Sequence, residues 1–225
     1  EMSATSQDVS KNAGSAAESA SSADKEAVES KSVVAMTIDS IGLLANEIEN
    51  GVYYLLVDDQ VKVEDHTEYE LYSHRAVKVL SAEGMEESSS FNVDFDPSYQ
   101  SVKLNVIQII RDGRTIDKTS SARISVLQRE ERMEALIYDE RLTANVIIDD
   151  VRVGDIVEFS YTRIGRNPVY GNKLSLYRYV EYSVPVQQIN IGVLWDKSSA
   201  LNVRRLNTQI EVQESTQGKF KKYSI

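Results

Sequence analysis

Five side chains between residues 64 and 74 are the ones whose types and spacing suggest metal or acid–base chemistry: Glu64, His66, Glu68, Glu70 and His74. Side chains alternate along an extended chain, so these even-numbered residues share one face, and Glu64, His66 and Glu68 come within reach of one divalent ion. Imidazole with carboxylates suits zinc or another transition metal. Val61, Val63, Tyr69, Leu71, Val77 and Val79 fill the odd positions of the same run, which makes the Glu/His row the polar side of an amphipathic strand. A solvated strand face predicts the same residues without an ion, and a closed ligand set is missing, so neither a metal nor any other cofactor is expected.

Other chemistries find less support. Asp94, Asp96 and the pairs Asp58-Asp59 and Asp149-Asp150 offer oxygens to calcium, but none follows the spacing of a calcium loop with its glycine and terminal glutamate; turn and cap roles account for them. A serine hydrolase needs a histidine base, and only His66 and His74 are available, with no Gly-x-Ser-x-Gly elbow. The sequence has no cysteine, which removes a thiolate nucleophile and disulfides alike. Phosphate-cradling glycine loops are missing too, so the chain is not expected to be an enzyme. Five tyrosines, Tyr161, Tyr170, Tyr177, Tyr179 and Tyr182, crowd one region; Tyr177 and Tyr179 share a face opposite Leu174, Leu176 and Tyr182 and form a candidate interaction surface. Packing within a strand explains the tyrosines as readily.

The elements that must position these groups are mostly strands. Residues 148–168 set the pattern: a turn around Gly154-Asp155, then Val157, Phe159 and Tyr161 on one face, then a stop at Gly165-Arg166-Asn167-Pro168. Residues 53–57 predict a buried strand ending at Asp58-Asp59. Residues 61–80 alternate for longer than a typical strand, so a bulge or break is expected near 73–75, and 81–90 reads as a polar loop. Strands are expected at 91–96 and 101–110, with a hairpin at Asp112-Gly113 whose return begins at 115–117. Further strands are expected at 123–127, 142–148, 155–164, 174–184, 187–195, 201–206, 209–213 and 220–225, and residues 128–140 predict a short helix or ordered loop. Many short strands at this spacing favour a sandwich.

Two N-terminal segments differ. Residues 1–32 are mostly Ser, Ala, Glu, Asp and Lys, and cannot bury enough apolar surface to offset ordering entropy; a disordered leader is expected, either a spacer or simply a solubilising tail. In 33–50, Val34, Ile38, Ile41, Ala45 and Ile48 recur at steps of three and four, predicting an amphipathic helix that packs on the domain's own sheet in preference to a membrane or partner. The 225 residues suit one domain, 51–225, beside these extras. A net charge of −10 argues against nucleic acid as a partner. No apolar run reaches the roughly 18–20 residues of a transmembrane helix. The start at Glu1 without an initiator fits a processed product, and the strand-like 220–225 suggests a polypeptide that continues.

Several pieces together resemble a known family. They include Tyr54-Leu55-Leu56-Val57-Asp58-Asp59-Gln60, Asp96-Pro97-Ser98-Tyr99-Gln100, Ile109-Ile110-Arg111-Asp112-Gly113, Gly165-Arg166-Asn167-Pro168-Val169 and, most specifically, the run from Asp150 to Tyr161, Asp-Val-Arg-Val-Gly-Asp-Ile-Val-Glu-Phe-Ser-Tyr. Over 53–197 the chain resembles the uncharacterised N-terminal domain of bacterial transglutaminase-like proteins. The resemblance implies an all-β, immunoglobulin-like sandwich of mainly antiparallel strands, followed by a papain-fold transglutaminase-like domain with a Cys-His-Asp triad, in exported periplasmic or cell-envelope proteins with the signal peptide removed. This chain ends before any such triad. The expectation is therefore a non-catalytic accessory module whose partner is the downstream domain of the same polypeptide, with an envelope protein or glycan as a further partner. An independent carbohydrate-binding or adhesion module is the alternative.

Overall fold

The computed structural model describes residues 48, 50–64, 68–128, 141–171, 173–196 and 201–225. The expected leader, nearly all of the expected helix at 33–50, and the expected short helix or loop at 129–140 lie outside the described residues, as does His66. The rest is an all-β, sandwich-like fold of two sheets, as the alternating patterns predict.

The larger sheet has eight strands in the order β10 (Gln213–Gln217), β11 (Phe220–Ser224), β9 (Ile189–Asp196), β1 (Val52–Glu64), β2 (Glu68–Val79), β8 (Ile156–Ile164), β4 (Ser101–Arg111) and β5 (Arg114–Asp117). Three strands form the smaller sheet in the order β3 (Ser90–Phe95), β7 (Leu142–Ile147) and β6 (Arg123–Gln128). Neighbours run antiparallel except β1 and β9, which pair in parallel from Val57↔Ile189 to Val63↔Trp195. The Asp112-Gly113 hairpin forms as expected, with both residues at positive φ, 50° and 73°.

The main core lies between the sheets. Val79, Ile107, Ile109 and Val157 of the larger sheet meet Phe91, Val93, Ala144 and Val146 of the smaller one. Phe91 stacks on Phe159 with ring centroids 4.0 Å apart. Burying each such aliphatic side chain contributes roughly 1.5–3 kcal/mol. A second cluster, Val61, Val63, Leu71, Trp195 and Tyr223, packs with Leu174, Leu201 and Val212.

Four local expectations need correction. The first strand does not end at Asp58-Asp59 but runs on to Glu64. Both aspartates are satisfied inside the sheet: Asp58 accepts from Gln60 at 2.6 Å, and Asp59 from Ser73 at 2.8 Å and Arg75 at 2.9 Å. The run 61–80 is not one strand broken near 73–75; it is the end of β1 and all of β2, with Glu64 opposite Glu68. The step from Glu64 to its partner Glu68 is an even number of positions, so apolar alternation passes through the turn unbroken and hides it. Residues 81–90 are not a loop throughout, because a short helix, α1 (Ala82–Ser88), forms there, with the Ser81 hydroxyl accepting from Gly84 N at 3.2 Å. Finally, 174–184 and 201–206 form no strand, and β10 occupies 213–217 where 209–213 is expected. Their alternation is real, but among the described residues no strand pairs with them.

Candidate functional site

Glu64, the first member of the acidic and histidine stripe, ends β1. It is paired with Lys219 and lies 3.5 Å from Lys62. The Lys219 hydrogen bond holds its carboxyl below the ordinary range, more than desolvation raises it. Glu68 opens β2, but its side chain, like all of His66, lies outside the described residues. His74 is six register positions further along β2 from Glu68, which is roughly 20 Å of strand. The hairpin therefore carries His74 away from the other members. Among the described residues no group of three His, Asp or Glu is placed to hold a metal ion.

His74 belongs to a different constellation, which the linear pattern does not reveal. On the side of the larger sheet turned away from the core, Asp58 of β1 faces His74 of β2, and Glu158 of β8 faces Gln108 of β4. His74 Nε2 lies 2.8 Å from Glu158 Oε1, and the other carboxylate oxygen of Glu158 accepts from the Gln108 amide. Burial pushes the Asp58 carboxyl up, only partly offset by the Gln60 hydrogen bond and by His74. A histidine between two carboxylates could act as a base, and Ser160 lies opposite it in register. However, Nε2 is committed to Glu158, and Ser160 is only 2% exposed, so no substrate carbonyl can reach the hydroxyl. The row acts as a polar seam across four strands.

The aspartates considered for calcium are accounted for in the same way. Arg111 grips Asp155 with two bonds of 2.8 Å and reaches Asp150 at 3.1 Å, while the Arg152 main-chain N–H donates to Asp155 at 2.7 Å. Burial raises the Asp155 carboxyl, but the Arg111 and Arg152 bonds outweigh it, so the group is held below the ordinary range. The turn is tied to β2 by Val79 N to Asp155 O and Gly154 N to Val79 O, both 2.9 Å. The Asp150–Asp155 stretch is thus a clamp on β2, β4 and β8. Asp94 accepts from Thr143 at 2.6 Å, and Asp96 turns back onto Ser98.

The region around the tyrosine pair is open. Tyr177 and Tyr179 are 61% and 67% exposed and meet edge to face, with centroids 4.9 Å apart and planes at 90°. Beside them a cavity of about 330 Å³ lies over Val61, Ile191, Val193 and Tyr223, walled by parts of 174–180 and 201–212. Its mouth exposes Leu176, Val203, Leu206 and Ile210. Three arginines, Arg178, Arg204 and Arg205, line it, and among the described residues no Asp or Glu side chain does. The sequence singles out Tyr177 and Tyr179 but not the cavity, whose walls read there as ordinary strands.

The fold is similar to solved proteins. A candidate protease from Parabacteroides distasonis superposes over 78% of this chain with a TM-score of 0.68 at 13% identity, and this chain spans 35% of its length. An M1 zinc metallopeptidase from Deinococcus radiodurans aligns over 78% of this chain and 39% of its own, at a TM-score of 0.37 and 11% identity. The CBM3a-L domain of a Clostridium thermocellum scaffoldin covers 53% of this chain and 70% of its own, at 0.31 and 12%. These last two scores are too low to bear on the fold. No curated protein matches the chain in sequence. The family model of DUF3857, a domain of unknown function with solved structure, matches residues 65–225, and the chain belongs to that family.

Proposed function

We propose that this chain is a non-catalytic accessory module of an exported transglutaminase-like protein, docking on and orienting the domain that follows it in the same polypeptide. The observation that carries this reading is the open apolar surface around the cavity. Leu176, Tyr177, Val203, Leu206 and Ile210 are between 36% and 65% exposed on one side of the second core cluster. A contiguous apolar surface of this kind marks an interaction site. In keeping with a non-catalytic role, the sequence has no cysteine and the His74–Glu158 pair is locked inside a seam. The exported address rests on the family resemblance; no helix among the described residues is long and apolar enough to cross a membrane.

The test uses the parent polypeptide and its two parts made separately. Calorimetry should detect association between this chain and the following domain, weakened at least about tenfold by Leu206→Asp, a loss of about 1.4 kcal/mol. Turnover of any substrate by this chain alone, or a following domain indifferent to its presence, would sink the reading.

The competing reading is a free-standing module for glycans or envelope proteins, and the exposed tyrosine pair favours it. Rings at right angles present no shared flat face for a sugar, so Tyr177→Ala should leave glycan-array binding at background. A glycan signal lost on that substitution would revive this alternative.

A further inference from the structure

The walls of the cavity differ from the rest of the domain in their main chain. Among the described residues, no backbone hydrogen bond joins 174–184 or 201–212 to another segment. Residues 173–182 also contain no helix, turn or bend, so the main chain there runs straight past the cavity, and apart from the Tyr177 carbonyl, which accepts from Arg178, its groups from 174 to 182 have no hydrogen-bond partner among the described residues. Backbone groups that become buried need partners, and an unpaired straight segment is a template for another strand.

The side chains describe that strand. Leu174, Leu176 and Val180 line the cavity from one wall and Leu201, Leu206 and Ile210 from the other, so the incoming residues that point inward must be apolar. Charge gives the second requirement. Arg178 Nη1 donates to Tyr177 O at 2.9 Å, but its Nε is buried with no partner among the described residues. With Arg204 and Arg205 close by and no Asp or Glu side chain among the described lining residues, the site has an excess of positive charge. A guanidinium with an unpaired donor favours a charge-assisted partner, and a carboxylate meeting its planar fork is the natural one. A second copy of this chain is a poor candidate, since each copy carries a net charge of −10.

We propose that the cavity is the seat of an extended, carboxylate-bearing segment of the following domain, which pairs with 174–182 through main-chain hydrogen bonds, inserts alternate apolar side chains into the cavity and meets Arg178 with its acidic group. This is strand addition within one polypeptide, with the backbone giving affinity and the pocket giving specificity. It rests on the accessory-module reading and names the partner of the same surface.

Amide hydrogen exchange tests it in the parent polypeptide and in this chain alone. Amides of 174–182 should exchange near the unprotected rate in the chain alone and at least about tenfold more slowly in the parent. Arg178→Ala and Val203→Asp in the parent should each return them toward the fast rate, while β4 and β8 stay protected as a check on folding. Fast exchange at 174–182 in the parent would overturn the proposal. Protection appearing only elsewhere, such as at β6, would overturn strand addition yet leave domain docking intact; no change anywhere would remove both. Protection that grows with concentration in the chain alone would identify a second copy as the occupant and also overturn the proposal.

Discussion

Ile107 and Ile124 look alike in sequence, both on alternating strands, and both face inward from their sheets; the structure gives them different energies. Ile107 of β4 is fully buried between the sheets, whereas Ile124 of β6 pairs with core residue Val146 but remains 53% exposed, since β6 lies at the edge of its sheet. Replacing Ile107 by Ala removes three carbons at about 0.8 kcal/mol each, roughly 2.4 kcal/mol of transfer free energy. The hole between two hydrogen-bonded sheets closes poorly, which raises the total to about 3–4 kcal/mol. Ile124→Ala loses at most about half the transfer part and leaves no cavity, about 1 kcal/mol. With a urea slope near 2 kcal/mol per molar, the midpoint should fall by about 1.5–2 M for the first and about 0.5 M for the second. Fluorescence of Trp195, the only tryptophan, reports from the second cluster, and circular dichroism reports on both sheets. Coincident midpoints from the two probes would show that both clusters unfold as one unit. Equal losses for the two substitutions would refute this placement of the core.

Arg111→Ala should destabilise the domain far more than Arg123→Ala, because Arg111 serves the buried Asp155 while the Arg123–Asp149 pair is 68% and 59% exposed; urea midpoints of the two variants decide it. Asp155 is held below the ordinary carboxylate range, so its contribution is full above about pH 4 and fades as pH falls through its lowered folded value; Arg111→Ala should flatten that acid limb. Asp58 has the opposite sign: its folded value is raised, so its contribution is full below about pH 4 and is lost as pH rises, and Asp58→Asn should raise the urea midpoint at pH 7 but not at pH 3.5. Gly165 sits at φ 117° with the Tyr99 carbonyl oxygen where a Cβ would go, so Gly165→Ala should cost at least about 2 kcal/mol in chemical unfolding; a neutral result would mean the turn is misplaced. Metal analysis of the purified chain should return no stoichiometric divalent ion, and His66→Ala should change nothing; one ion per chain would restore the Glu64, His66 and Glu68 site.

Alternation in the sequence reports which face a side chain takes, and it reports nothing about the neighbouring strand. That explains both the successes and the misses. Val157, Phe159 and Tyr161 do share the core-facing side of β8, and the Asp112-Gly113 turn is where backbone chemistry requires it. The hairpin between Glu64 and Glu68 escapes notice because alternation survives an even step, and that concealment is what made Glu64 and His74 look like members of one stripe. The His74–Glu158–Gln108 seam joins three strands that are distant in sequence, so no local spacing could have announced it. Residues 174–184 show the reverse case: the pattern of a strand is present, and no strand among the described residues pairs with it.

These observations bear on where function can lie in this family. The run from Asp150 to Tyr161, the most specific mark of kinship, proves to be a clamp: Arg111, Asp150, Arg152 and Asp155 fasten the turn to β2 and β4, and Phe159 stacks in the core. A stretch that builds the scaffold identifies the fold, and fold alone does not assign function. Among the described residues His74 is held by Glu158, Asp59, Asp150 and Asp155 by arginines, and Asp58, Asp94 and Asp96 by Gln60, Thr143 and Ser98. The cavity region combines three unmet features among the described residues: an apolar mouth, a main chain at 174–182 with no backbone bond to another segment, and the buried Nε of Arg178. On the reading proposed above, an interface would meet these needs for shape, backbone partners and one negative charge, and a second stretch of polypeptide would supply all three at once.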